Sequence, residues 1–391
     1  MGTIRRLGAG TCRIRANKGH FVAKYRGPQP SDNQLMTEPD TDPLAVIAMP
    51  PPAFSERAAS KLARDHYGLN ATLSALNSER DQNFRVDCED GRQFVLKIGN
   101  AAEDSRVTDF QINALLHIEE QSKKHSLAIN VPRVVRTRKG APRVLLDSGD
   151  ASHVVRLVTY VEGRLLDETP RSPKLCRNLG RYLAILGQSL RGFGHPGEDQ
   201  SLLWDMKCAT ELRRLLEFID DRSVRACVAS SIDSFEEIAL PAFGTMRWQV
   251  IHNDFHPENI LIDAAAPDQV AGVIDFGDML RSPLIVDVGV ATSYLRVPEG
   301  DPLQQIAEFV SGYHEITPFE AGELDILLCL AKVRLAATIC ILHWRASERG
   351  IEDAYLQNSW SEGLSAEAFL YRLHRLSPDR TMSTLMAGCQ A

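Results

Sequence analysis

Ile251-His252-Asn253-Asp254-Phe255-His256-Pro257-Glu258-Asn259, followed by Val273-Ile274-Asp275-Phe276-Gly277-Asp278, is the stretch that decides how this chain reads. Phosphoryl transfer needs few parts. A carboxylate must hold the acceptor hydroxyl and take its proton, and oxygen ligands must hold a divalent cation against the phosphates. An Asp and an Asn five positions apart supply both from one loop, and Asp254 and Asn259 have that spacing. The apolar segments Asn259–Ile262 and Val270–Asp275 read as a short hairpin that returns a second carboxylate, Asp275, beside the Asn. Asp-Phe-Gly alone arises by chance, and His252 or His256 alone would be an ordinary polar histidine. The combination in order carries the weight: His-x-Asp, the spaced Asn, two apolar strands, then Asp-Phe-Gly.

Upstream, Phe94-Val95-Leu96-Lys97 reads as a strand on which Val95 and Lys97 share a face. A solvent-facing lysine is the plain alternative. Its order relative to the Asp254 loop points instead to a lysine that reaches the α- and β-phosphates, with Val95 roofing the base. Around it, Ala71–Leu76, Asn83–Cys88 and Gln93–Ile98 read as an antiparallel meander, with a turn at Glu89-Asp90-Gly91. Ser55 caps a helix stopped at Gly68, and Val107–Glu120 has a helical period. A hairpin follows, Arg143–Leu146 with Val154–Val161, turning at Ser148-Gly149-Asp150. Beyond Pro170 the pattern is helical at Leu183–Leu190, Val288–Leu295, Leu324–Leu342 and Leu356–Leu373, with the Asn259 hairpin the exception. The fold class expected is α+β in two lobes: residues 54–163 a small antiparallel sheet, residues 164–391 a larger helical part.

The chain has 391 residues, 44% apolar and 24% charged, with a net charge of −7. That composition suits a soluble globular protein without the basic footprint that nucleic acid or an anionic membrane requires. Its eight cysteines form no CxxC pair, so buried free thiols in a reducing, cytoplasmic setting are expected, and a zinc site is not. No apolar run approaches the length of a membrane span. Residues 1–53 stand apart: Met1–Pro30 holds seven Arg or Lys and no Asp or Glu, and the segment ends in Pro50-Pro51-Pro52. A flexible extension is expected there. A mitochondrial address is the alternative, opposed by scarce serine and by the glycines.

Lys97, the Asp254–Asn259 loop and Asp275-Phe276-Gly277 together resemble the aminoglycoside phosphotransferase family, relatives of the protein kinases. Tyr67-Gly68-Leu69, Leu76–Phe84, Val155–Gly163, Leu203-Trp204-Asp205 and Val273–Met279 are most similar to its hydroxylysine kinase branch. The resemblance implies a two-lobed kinase-like fold and a phosphotransferase using Mg2+ with GTP or ATP. It implies that Asp254 is the base, Asn259 and Asp275 the metal ligands, and Lys97 the phosphate lysine. Ser78–Asn83 would be the phosphate loop, and the backbone amides of Thr159, Tyr160 and Val161 would read the purine edge. Asp287 would brace the catalytic loop, with His252 in support.

Two positions depart from the family pattern. Asn253 stands where Gly is frequent, and Asn tolerates unusual backbone angles. Gln111 stands where many relatives offer a Glu to the lysine, so a neutral amide is expected to orient Lys97. The acceptor expected is a hydroxyl on a small cationic molecule, 5-hydroxylysine first, with Trp204, Asp205 and Asp278 as its contacts. For Asp205 the plain alternative is a helix cap, and for Asp278 a solvated carboxylate. Another acceptor (an aminoglycoside, choline or homoserine) and a silent nucleotide-binding module are the rival readings.

Overall fold

The structure is a computed structural model describing residues 51–78, 80–148, 151–200, 202–349 and 354–390. Nearly all of the expected extension lies outside these residues, as do Gly149 and Asp150 of the hairpin turn.

Helix α1 (Glu56–Tyr67) starts where Ser55 accepts a hydrogen bond from the Ala58 N–H and stops at Gly68, whose φ of 72° needs no Cβ. Strands β1 (Ala71–Leu76), β2 (Gln82–Cys88) and β3 (Gln93–Ile98) form the meander. Helix α2 (Ser105–His125) and the short β4 (Val134–Val135) precede a second hairpin, β5 (Val144–Ser148) and β6 (Ala151–Thr159). The sheet runs β1-β2-β3-β6-β4, with β5 also paired to β6. Period-two alternation sorts its faces. Phe84, Val86, Leu96, Ile98, Val155 and Leu157 join Ala59, Leu62 and Ala63 of α1 in one apolar cluster. Lys97 lies directly between Asn83 and Arg156, and Val95 between Arg85 and Val158, so these residues share the opposite face.

After β7 (Arg164–Leu165), helix α3 (Pro173–Ser189) and a 3-10 helix (Met206–Phe218) lead into α4 (Arg222–Ser234). Then come β8 (Trp248–Ile251), β9 (Ile260–Ile262), β10 (Val270–Val273) and β11 (Leu280–Pro283), followed by helices α5 (Leu284–Ser293), α6 (Pro302–Ile316), α7 (Glu323–Arg349), α8 (Ala354–His374) and α9 (Pro378–Gln390). The expected hairpin is therefore not the sole exception among the helices. Strand β7 adds to β9 beside β10, and β8 pairs with β11 in a separate ribbon. β11 carries Arg281, Ser282 and Pro283, a composition with little strand character, and its pairing with β8 across the Asp254 loop is a long-range one.

A second correction concerns α7. Its length and apolarity would suffice to cross a membrane, although 78% of its apolar window is buried inside the protein. It is a core helix, hydrophobic all round because other elements surround it. The seven described cysteines are free, and burial pushes the thiols of Cys176 and Cys340 up to about 11 and about 12.

Candidate active site

Strand ends β8, β9 and β10 bring the expected loop residues together. The turn after β8 is drawn tight by Asp287 on α5, whose two carboxylate oxygens accept the N–H groups of His252 (3.1 Å) and Asn253 (2.8 Å). Burial raises the Asp287 carboxyl to about 7 even though these two N–H bonds pull it down. Asn253 takes a φ of 63°, and its Nδ2 donates to the Asp278 carbonyl at 3.2 Å. An alanine would strain there, whereas Asn adopts the left-handed region and ties the two halves of the site. His252 accepts the Asp254 N–H at Nδ1 (3.3 Å), which leaves Nε2 to donate to the Ile274 carbonyl (3.2 Å). Burial lowers its pKa and keeps the ring neutral in that role.

Asp254 is held at both oxygens. Oδ1 faces Nη2 of Arg334 on α7 at 3.2 Å, while Oδ2 accepts from Asn259 Nδ2 at 2.8 Å and faces His256 Nε2 at 3.2 Å. Burial alone would raise its pKa, but His256, Arg334 and His252 outweigh that and hold the carboxyl well below the usual range. Neither His256 nor Arg334 stood out in the sequence reading. His256 lies inside the quoted motif and passes as ordinary, whereas Arg334 is, with Lys332, one of two cations in the otherwise apolar run Leu330–Ala337, which is the signal that could have found it.

Asn259 spends its amide N–H on Asp254, which turns its oxygen to the other side of the loop. The Asn259 carbonyl accepts the Ile274 N–H at 2.9 Å, which sets Asp275 on the adjacent strand end. Asp275 takes a φ of 57°, accepts the Gly277 N–H at 3.1 Å and lies 3.7 Å from Lys97 Nζ. Lys97 chiefly lowers its pKa against the effect of burial. A carboxylate and an amide oxygen are hard donors, and the Asp275 side chain is 47% exposed, so the pair fits a magnesium ion that keeps phosphate and water ligands.

Three expectations need correction. Gln111 does not orient Lys97. Its Oε1 accepts from Arg156 Nη2 at 2.5 Å, and its Nε2 donates to the Gly277 carbonyl at 3.5 Å. The cause is Arg156, the direct cross-strand neighbour of Lys97, which is only 4% exposed and takes the amide for itself. Asp205 does not face an acceptor: it is buried, caps the 3-10 helix through the Lys207 N–H (2.9 Å) and pairs with Lys207 Nζ (3.4 Å). Two of the three expected hinge amides are already used, Thr159 N–H on the Arg133 carbonyl (2.9 Å) and Tyr160 N–H on the Gln93 carbonyl (3.2 Å). The first is taken by the residue just before β4 and the second by the first residue of β3, whereas no partner is seen for the Val161 N–H among the described residues.

Trp204 and Asp278 come together. The indole Nε1 donates to Asp278 Oδ2 at 2.8 Å, and Asp278 Oδ1 pairs with Arg80. Asp278 is therefore buried and paired rather than solvated. Arg334 connects this pair to Asp254, with Nη1 on the Trp204 carbonyl (3.2 Å) and Nη2 on the Asp254 carboxylate. Ser78 lies exposed in the β1–β2 connection, and Asn83 lies beside Lys97 with its Oδ1 buried and unpartnered.

Comparison with known proteins gives a consistent result. The model of the phosphotransferase enzyme family matches residues 72–324. A hydroxylysine kinase of Bos taurus is 29% identical over 326 residues, 76% of this chain and 85% of the relative. Another, of Danio rerio, is 24% identical, covering 84% of this chain and 95% of the relative. Among solved structures, an amicoumacin kinase in complex with AMP-PNP and Ca2+ superposes with a TM-score of 0.63 at 15% identity, covering 84% of this chain and 97% of that one. A microcompartment-associated aminopropanol kinase gives 0.61 at 21%, covering 85% and 98%. These two establish the kinase-like fold.

Proposed function

The chain belongs to the phosphotransferase enzyme family, acting on an alcohol group, and we propose that it moves the γ-phosphoryl group of GTP or ATP onto a small cationic amino acid, 5-hydroxylysine first. The observation that carries the acceptor reading is the Arg334 bridge. It joins the Trp204 backbone carbonyl to Asp254, so a molecule with its hydroxyl on Asp254 would have the indole and the Asp278 carboxylate bonded to it as partners for its ammonium. The names of the curated relatives support the same acceptor.

In this reading Asp254 orients the acceptor hydroxyl and receives its proton. Lys97 binds donor phosphates, while Asp287, His252 and Asn253 hold the loop in shape. Magnesium, held by Asn259 and Asp275, would neutralise charge on the donor phosphates. The test is kcat/KM for 5-hydroxylysine, choline, homoserine and kanamycin under identical Mg2+, with GTP and with ATP. 5-Hydroxylysine should lead, whereas a lead of more than about tenfold for kanamycin or choline would contradict the acceptor assignment.

A further inference from the structure

Arg80 belongs to the β1–β2 connection, which in the proposed reading faces the donor phosphates. Yet its guanidinium pairs with Asp278, 198 positions further on and just past the metal-binding motif. It lies 5.7 Å from the centre of the Trp204 ring, and a Cβ placed on Gly277 would be 3.1 Å from its Nη2. Its side chain is 20% exposed and that of Asp278 is 10% exposed, so the pair is largely shielded from water. The acids acting on Arg80 are Asp278, Glu103, Asp275 and Asp81, in that order. The guanidinium thus sits between the Trp204–Asp278 pair and Asp275, which itself lies 3.7 Å from Lys97.

We propose that Arg80 is a two-position residue of the donor site, exchanging Asp278 for the donor's β- and γ-phosphates when nucleotide binds. The exchange follows from charge and shape. A triphosphate brings several negative charges to the place where Lys97 and Asp275 meet, and the planar guanidinium fork matches phosphate oxygens bidentately. Asp278 is the competitor that binding must outbid. Leaving it frees Oδ1 for the acceptor ammonium while Trp204 keeps Oδ2. This last consequence rests on the proposed acceptor, whereas the exchange itself rests only on the nucleotide donor.

Competition has a signature that a static strut lacks, because opposite changes to the two partners move nucleotide affinity in opposite directions. The experiment is calorimetric binding of AMP-PNP and GMP-PNP with Mg2+, without acceptor, to wild type, Arg80→Gln, Asp278→Asn and the double variant. Arg80→Gln should weaken binding roughly tenfold or more. Asp278→Asn should tighten it by about 5- to 150-fold, and that gain should vanish in the Arg80→Gln background. The loss in Arg80→Gln should grow from AMP to ADP to AMP-PNP. Should Asp278→Asn tighten binding equally in both backgrounds, mere removal of a negative charge explains it and the proposal fails. It fails also if both single variants leave affinity unchanged.

Arg80→Lys, which keeps the charge and loses the fork, should fall between wild type and Arg80→Gln, and it guards against a misfolded Gln variant. A wild type that binds neither analogue would sink the donor reading itself, a result distinct from a flat cycle. In a further arm, AMP-PNP should tighten 5-hydroxylysine binding in wild type and not in Arg80→Gln. If 5-hydroxylysine binds no form of the protein, the acceptor reading falls, and the nucleotide cycle still decides the role of Arg80.

Discussion

Asp254 is held so firmly as a carboxylate that strong basicity is not its contribution. Arg334 and the histidines keep its pKa well below the usual range against burial. In a loose phosphoryl transfer the nucleophile needs little activation, so a carboxylate that orients the hydroxyl and accepts the proton late is sufficient. Removing the Arg334 cation should therefore raise the Asp254 pKa. Arg334→Gln is expected to move the acid limb of the kcat/KM profile upward by roughly 1–3 pH units, and an unmoved limb would show that Arg334 does not set it. Gln111 and Arg156 make a second case. Arg156 is buried with Gln111 and Asp81 as partners, and Gln111 passes that contact on to the Gly277 carbonyl. Arg156→Ala leaves these groups unmatched and should cost about 3–5 kcal/mol in a denaturation experiment. A loss below 1 kcal/mol would show that water replaces the arginine. Sequence spacing singled out Lys97, Asp254, Asn259 and Asp275, which the structure brings together, because short local motifs carry them. It could not assign Gln111, because the arginine that claims it lies 45 residues away on strand β6.

Helices α3 and α6 cross through Gly180 and Gly312. A Cβ on Gly180 would lie 1.9 Å from the Phe309 carbonyl oxygen, and one on Gly312 would lie 1.9 Å from the Arg177 carbonyl oxygen. Backbone meets backbone, so no side chain can yield. Gly312→Ala should push the helices apart and lower stability by about 1–3 kcal/mol or more, read as a lower thermal midpoint; an unchanged midpoint would contradict this crossing. Periodicity found α3 and the meander, since their apolar spacing is regular. It missed the pairing of β8 with β11, two four-residue strands with the Asp254 loop and the β9–β10 hairpin between them in the chain. It also read α7 as too short an apolar run, because Lys332 and Arg334 interrupt a helix that packs on several elements at once.

At the scale of the molecule, a half-buried histidine couples stability to pH. His374 on α8 bonds Ser231 on α4 at 2.8 Å, and burial, helped by Lys332, lowers its pKa from 6.5 to about 4. The unfolded chain protonates this ring first, so its contribution is present above pH 6.5 and lost as pH falls toward 4. Asp287 acts with the opposite sign: its pKa rises from 3.8 to about 7, so its contribution is present below 3.8 and lost as pH rises through 7. The difference between wild type and His374→Gln isolates the first effect. Wild type should lose about 1–3 kcal/mol more than the variant between pH 6.5 and 4, and parallel curves would exclude His374 as the sensor.

The two-lobed plan was legible because a strand-rich half precedes a helix-rich half in the chain. The junction between them was not, since Arg80 and Gln111 reach across it to partners 198 and 166 positions away in the chain. What would unite the lobes is the proposed reaction centre, and the most direct test of it is single-turnover transfer from γ-labelled GTP and ATP. With 5-hydroxylysine and Mg2+, label should appear on the acceptor hydroxyl in wild type. In Asp254→Asn the transfer should fall by roughly 10²–10⁴ while nucleotide affinity holds. Undiminished transfer in that variant, or label passing to water at the same rate with and without acceptor, would contradict a kinase centred on Asp254.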